Sequence, residues 1–206
     1  MLFVSNLKCL INGRIIFKDV SFNLFKSDVL HVIGSNGSGK TTLLKLLSFL
    51  YRNKHGNIFF NGKCVRNNSN YYLGNIIFIG HKHSIHLLLT PIENLVFYMS
   101  LSCTELLMNI KKALIFMGID NKMDSRCLEL SVGQCQRVLL SRLLIQKSRI
   151  WILDEPYSYL DSDGMNLLNK IILSFLKSGG IVIISDHSNT IQNLYQCKIL
   201  NLENFR

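Results

Sequence analysis

The sequence predicts an α/β domain built on a parallel core sheet, with an N-terminal antiparallel β layer and an inserted α-helical subdomain. Three observations carry this. In the second half, short apolar runs of strand length alternate with amphipathic helical stretches, the pattern of parallel strands joined by helical crossovers. The first third is strand-rich, with Phe3–Leu10 and Ile15–Phe25 heavy in Ile, Phe and Val. Between them, residues 82–146 are mostly helical and interrupt the alternation.

The 206 residues, 48% of them hydrophobic, suit a single domain that buries its core without metal or disulfide staples. With two prolines and no Gly/Ser-rich tract, no linker divides the chain, so residues 1–206 read as one unit. The six cysteines (Cys9, Cys64, Cys103, Cys127, Cys135 and Cys197) form no C-x-x-C pair and read as scattered thiols of a reducing compartment. The first residues lack a basic segment followed by a long apolar one, so no cleaved signal is expected. No run of about 18 apolar residues could span a membrane. The net charge of +10 admits nucleic acid, an anionic membrane face or a phosphate-rich ligand. Its dispersal along the chain argues against nucleic acid.

Along the chain, Val29–Ile33 is a short buried strand that runs into Gly34-Ser35-Asn36-Gly37-Ser38-Gly39-Lys40-Thr41-Thr42. The leucines at 43, 44, 46, 47 and 50 then have helical spacing. Ile58–Phe60 and Ile76–Ile79 read as further strands. Pro91 opens a helix through Met99, Glu105–Met117 is an amphipathic helix, and Ser131 caps a helix running to Ile145. Strand Ile150–Leu153, helix Asp161–Leu176 and strand Ile181–Ile184 follow, then a short helix and a last strand.

Gly34-x-x-x-x-Gly39-Lys40-Thr41 is a phosphate-loop pattern at a strand–loop–helix junction. Glycines let successive N–H groups curl toward one anion, and the helix N-terminus adds a positive dipole end. Lys40 brings a charge to the β- and γ-phosphates of a nucleotide, and the Thr41 hydroxyl is a ligand for Mg²⁺. Strand 150–153 ends in Asp154 and Glu155. A carboxylate at the end of a parallel strand lies near the loop after a neighbouring one, where Asp154 can hold Mg²⁺ through water and Glu155 can polarise an attacking water. Leu130-Ser131-Val132-Gly133-Gln134 reads as a helix N-terminus able to meet an anion. His187 follows the next strand, where a lone histidine is either structural or placed to face the γ-phosphate.

Together these residues resemble the ATP-binding-cassette (ABC) ATPases, a P-loop NTPase family, over nearly the whole chain. Gly34–Thr42 is similar to Walker A, Ile150–Glu155 to Walker B with its catalytic glutamate, and Leu130–Gln134 to the family signature. Ser158-Tyr159-Leu160-Asp161 resembles the D-loop and His187 the switch histidine. The resemblance implies ATP hydrolysis with Mg²⁺, and a head-to-tail pair of cassettes in which Ser131, Gly133 and Gln134 act on the partner's nucleotide. It also implies an integral membrane permease and a peripheral place on the cytoplasmic face of the inner membrane. His81, in Ile79-Gly80-His81, stands where most cassettes have a glutamine that reaches Mg²⁺. Val132 replaces a small signature residue, and Ile11 stands where cassettes often stack adenine on an aromatic ring.

A narrower resemblance is to the ATPase subunits of the cytochrome c maturation (Ccm) system, carried by the segment from Ile79 to Tyr98, by Trp151–Pro156 and by Gly179–Ile183. It implies c-type cytochrome assembly, with haem met only indirectly. The alternatives are the ATPase subunit of another ABC exporter, or a soluble ABC ATPase acting on nucleic acid.

Overall fold

A computed structural model of the chain describes residues 1–51, 55–80, 84–99, 104–186 and 190–205. The chain forms two compact units. The first comprises Met1–Phe78, Ser148–Glu155 and Phe175–Arg206, the second Ile79–Lys147 and Pro156–Ser174. The second therefore takes in residues 156–174 besides the helical stretch visible in the sequence.

In the first unit, strands β1 (Leu2–Ile11) and β2 (Arg14–Leu24) form a hairpin. Its two-residue turn, Asn12-Gly13, has φ of 50° and 77°, the left-handed pair that matches the twist of the flanking strands. Strand β4 (His55–Phe60) pairs antiparallel with β1, and the short β5 (Lys63–Cys64) with β4, giving the order β2-β1-β4-β5. The inward residues Leu2, Val4 and Leu7 of β1 are buried while alternate ones are not, as a half-covered sheet requires.

The second sheet has the order β6-β7-β8-β3-β9, built from β3 (Val29–Ile33), β6 (Ile76–Ile79), β7 (Ile150–Asp154), β8 (Ile181–Ser185) and β9 (Cys197–Asn201). Strands β7, β8, β3 and β9 pair in parallel. Every residue of β7 and β8 is buried, which accounts for their unbroken apolar character up to the last position. Helix α1 (Lys40–Leu47) packs on β7 and β8 through Leu43, Leu44, Leu46 and Leu47. Each such leucine contributes about 1.5–3 kcal/mol of apolar burial. The helix stops before Leu50 because Phe49 adopts φ of 61°. The short helix α2 (Ser69–Leu73), not evident in the sequence, is fastened by the buried Tyr72, whose hydroxyl donates to Leu47 O at 2.8 Å. Trp151 stacks on Phe175 at 3.7 Å between ring centres, and Gly180 leaves room for that ring, since a Cβ there would lie 2.3 Å from it.

The second unit contains α3 (Pro91–Met99), α4 (Thr104–Phe116), α5 (Val132–Leu140) and α6 (Arg142–Ile145). Helix α4 packs on α3 and α6, and α5 on α3. Thr90 and Glu93 cap α3 reciprocally, Thr90 N–H donating to Glu93 Oε2 at 2.8 Å and Glu93 N–H to Thr90 Oγ1 at 3.2 Å. The single helix expected from 131 to 145 is divided at Ser141. Its hydroxyl donates to Arg137 O at 2.9 Å, a bond back to the preceding turn that bends helices. Helix α7 (Ser162–Lys177) precedes β8, and α8 (Thr190–Leu194) precedes β9. Among the described residues, no helix is long and apolar enough to cross a membrane.

Candidate nucleotide-binding site

Strand β3 delivers the chain to a loop that only glycine can complete. Gly34, Gly37 and Gly39 have φ of 148°, 79° and 100°. A Cβ on Gly34 would lie 2.6 Å from Ser38 Oγ, and one on Gly39 would lie 2.6 Å from Ile16 Cγ2 of β2. The loop is therefore wrapped tightly and seated on the hairpin. Gly39 is the N-cap of α1 and supplies no side-chain acceptor, so the first N–H groups of the helix, those of Lys40, Thr41 and Thr42, have no partner within it. Lys40 is buried, and its Nζ donates to Gly34 O at 2.7 Å and Ser35 O at 3.3 Å. The ammonium is thus folded over the loop it serves. Ser35 and Asn36 are exposed at the loop's outer bend, and the Ser35 N–H donates to Glu203 Oε1 at 3.0 Å.

Asp154 closes β7 and is 1% exposed. Its Oδ1 accepts the Ser185 hydroxyl proton at 2.6 Å, while its Oδ2 is buried with no hydrogen-bond partner. The N–H of Glu155 donates to both Ser185 O and Ser185 Oγ, each at 3.1 Å. Glu155 has φ of 50°, a left-handed conformation that costs a non-glycine residue about 1–3 kcal/mol and concentrates at functional sites. Sequence reasoning set the acids beside the phosphate loop on neighbouring strands. The sheet instead inserts β8 between β7 and β3, with Val32, Ser185 and Asp154 in one row. Two strand spacings put the end of β7 about 10 Å from β3, at the same carboxyl end of the sheet.

This donor set fits a magnesium nucleotide. A buried carboxylate oxygen without a partner is costly unless a cation or donor meets it, and an open oxygen is what a hard divalent ion takes. The loop offers the complementary anion cradle of N–H groups, ammonium and helix end. Among the described residues, no group of three His, Cys, Asp or Glu side chains could hold a metal ion.

The second unit holds Ser131, Gly133 and Gln134. Ser131 is the N-cap of α5 within a capping box: Gln134 N–H donates to Ser131 Oγ at 3.2 Å, and Ser131 N–H to Gln134 Oε1 at 2.9 Å. Because the hydroxyl accepts internally, its proton remains free to point outward. A Cβ on Gly133 would lie 2.6 Å from Tyr159 O, so glycine is needed here for a backbone contact. Arg137 pairs with Asp161 and holds that carboxyl below its ordinary value. Asp161 also accepts from Gly164 N at 2.9 Å, at the start of α7. These groups line a cleft of about 400 Å³ with Gly118 and Tyr159.

His81, His187 and Cys103 lie outside the described residues. Sequence reasoning missed Ser185 and His31. Each is a polar residue inside an apolar run, Ser185 ending Ile181–Ile184 and His31 interrupting Val29–Ile33, and that interruption was the available signal. Both are essentially fully buried.

Comparison with known proteins agrees with this geometry. The family model for ABC transporters matches residues 17–158. The cytochrome c biogenesis ATP-binding export protein CcmA of Aliivibrio fischeri is 32% identical over 202 residues, covering 98% of this chain and 99% of that one. CcmA of Vibrio cholerae is 35% identical over 190 residues, covering 92% of each. Among solved structures, a putative ABC transporter ATP-binding protein from Pyrococcus furiosus superposes with a TM-score of 0.80 at 26% identity, covering 99% of this chain and 98% of that one. The cassette MJ0796, solved as a dimer bound to ADP and Pi, has a TM-score of 0.84 at 21% identity, covering 98% and 94%. A phosphate loop and a paired-acid strand on this sheet, matched over most of the chain, leave one conclusion: the protein belongs to the ABC transporter family, as an ATP-binding cassette.

Proposed function

We propose that the chain is the ATPase subunit that energises haem handling or export in c-type cytochrome biogenesis. The unpartnered Asp154 Oδ2, at the same carboxyl end of the sheet as the phosphate loop, is the observation that supports hydrolysis. Near-full-length similarity to CcmA proteins supports the biological setting. On this reading, residues 34–42 bind ATP, and Lys40 leaves the Gly34 and Ser35 carbonyls for the β- and γ-phosphates. Thr41 and Asp154 would hold Mg²⁺, and His81, expected from the sequence as a further candidate, lies outside the described residues. When bound, the ion neutralises charge on the phosphate oxygens. Glu155 orients and polarises the attacking water, and His187 is the expected switch histidine.

Ser131, Gly133 and Gln134 act on the nucleotide of a second copy in a head-to-tail dimer. Cassette closure on ATP, and reopening after hydrolysis, move an integral permease that the chain meets at the cytoplasmic face of the inner membrane. Haem is handled by the partners and nucleic acid plays no part.

The test is E155Q expressed with its membrane partners. ATP binding persists while turnover falls about 10²–10⁴-fold, the usual cost of losing a general base. Cells carrying only that variant accumulate c-type apocytochromes without covalent haem. Wild-type turnover by E155Q would overturn the catalytic assignment, and normal haem attachment with turnover abolished would overturn the biological one.

A further inference from the structure

The two acids at the end of β7 are not set by their own strand. Ser185, fully buried, spends its one hydroxyl proton on Asp154 Oδ1 at 2.6 Å and accepts the Glu155 N–H at 3.1 Å. The first bond turns Asp154 so that Oδ2 is the oxygen left open. The second, with the bond from the same N–H to Ser185 O, holds Glu155 in its left-handed conformation.

On the far side of β8, His31 of β3 meets the same corner, its Nε2 lying 3.3 Å from Asp186 O. A carbonyl accepts, so Nε2 carries the proton and Nδ1 is an acceptor, and Nδ1 is indeed buried without a partner. Burial favours the neutral imidazole. An unpaired buried acceptor is destabilising, so packing alone would favour an aliphatic side chain here. The imidazole is accounted for by the bond it makes.

We propose that Ser185 and His31 are positioning residues for hydrolysis: through the corner Ser185–Asp186 they set Asp154 and Glu155 relative to the phosphate loop. Neither touches nucleotide. Ser185 acts directly on the acids, and His31 ties the corner to the strand that carries the loop. This inference rests on the ATPase reading above.

The experiment measures steady-state ATPase kinetics and thermal unfolding for the cassette in its membrane complex, comparing S185A, S185T, H31L, H31Q and S185A/H31L. Loss of a hydrogen bond to a charged group predicts that S185A lowers kcat by about tenfold or more. The KM for ATP stays within about twofold. S185T keeps the hydroxyl and restores kcat. H31L lowers kcat about threefold to tenfold, and H31Q, which retains an N–H, recovers it. The double variant is no slower than S185A, because both changes release one corner.

Unchanged kcat in S185A and H31L would overturn the proposal, as would losses that only follow the folded fraction or that S185T and H31Q fail to restore. Should S185A not fold, the His31 pair decides by itself. A wild-type complex without ATPase activity would instead refute the proposed function, a separate result.

Discussion

Gly133→Ala tests the second unit with one methyl group. The added Cβ would lie 2.6 Å from Tyr159 O, where an ordinary C···O contact needs about 3.3 Å. The neighbour is backbone, so no rotamer change relieves the clash, and the start of α5 must move by about 0.7 Å. Two stability effects then oppose each other. Overpacking costs about 1–3 kcal/mol, and replacing glycine in a helix returns up to about 1 kcal/mol. The net loss is about 0–2 kcal/mol, which leaves the protein folded. Catalysis has no such compensation. On the proposed reading, this helix end presents the Ser131 hydroxyl to the partner's nucleotide, and a displacement near 1 Å at a reacting centre costs up to about 10²-fold. We therefore expect a small fall in Tm with a fall in kcat of ten- to a hundredfold, measured by circular dichroism and steady-state ATPase assay of the assembled complex. Wild-type kcat would refute the reasoning.

Lys40→Ala removes the ammonium that now rests on Gly34 and Ser35 carbonyls, and nucleotide affinity should fall at least tenfold by fluorescent-nucleotide titration; unchanged affinity would reject the phosphate-loop role. Burial is the largest influence on His31 and lowers its pKa, although Asp186 pulls the other way. The unfolded chain therefore binds this proton more readily than the native one. The stability His31 contributes is complete above its ordinary value of about 6.5 and is lost as pH falls below it. Denaturant melts at pH 7 and pH 5.5 should show a loss that shrinks in H31Q. Burial pushes the Cys127 thiol up to about 11 and raises Cys135 as well. Both should resist thiol-reactive reagents in the native state and react once unfolded, as read by mass spectrometry.

What the sequence determined by itself is what neighbouring residues do to one another. The phosphate loop is nine consecutive positions, and Gly34 is required by local curling against Ser38. The Ser131–Gln134 capping box closes within one helical turn. Leu43 to Leu47 declare a buried helix face by spacing alone. Strand order is different in kind. A strand's hydrogen-bond ladder accepts any partner of suitable length, so nothing in Ile150–Asp154 states that β8, rather than β3, lies beside it. That insertion follows from the packing of the whole sheet. With it came the bond from Ser185 to Asp154, the pinning of Glu155 and the contact of His31 with Asp186; the carbonyl of Tyr159 that crowds Gly133 is likewise a tertiary contact. Each joins residues far apart in the chain, where the apolar surfaces buried together set the geometry and local pattern carries no trace of it.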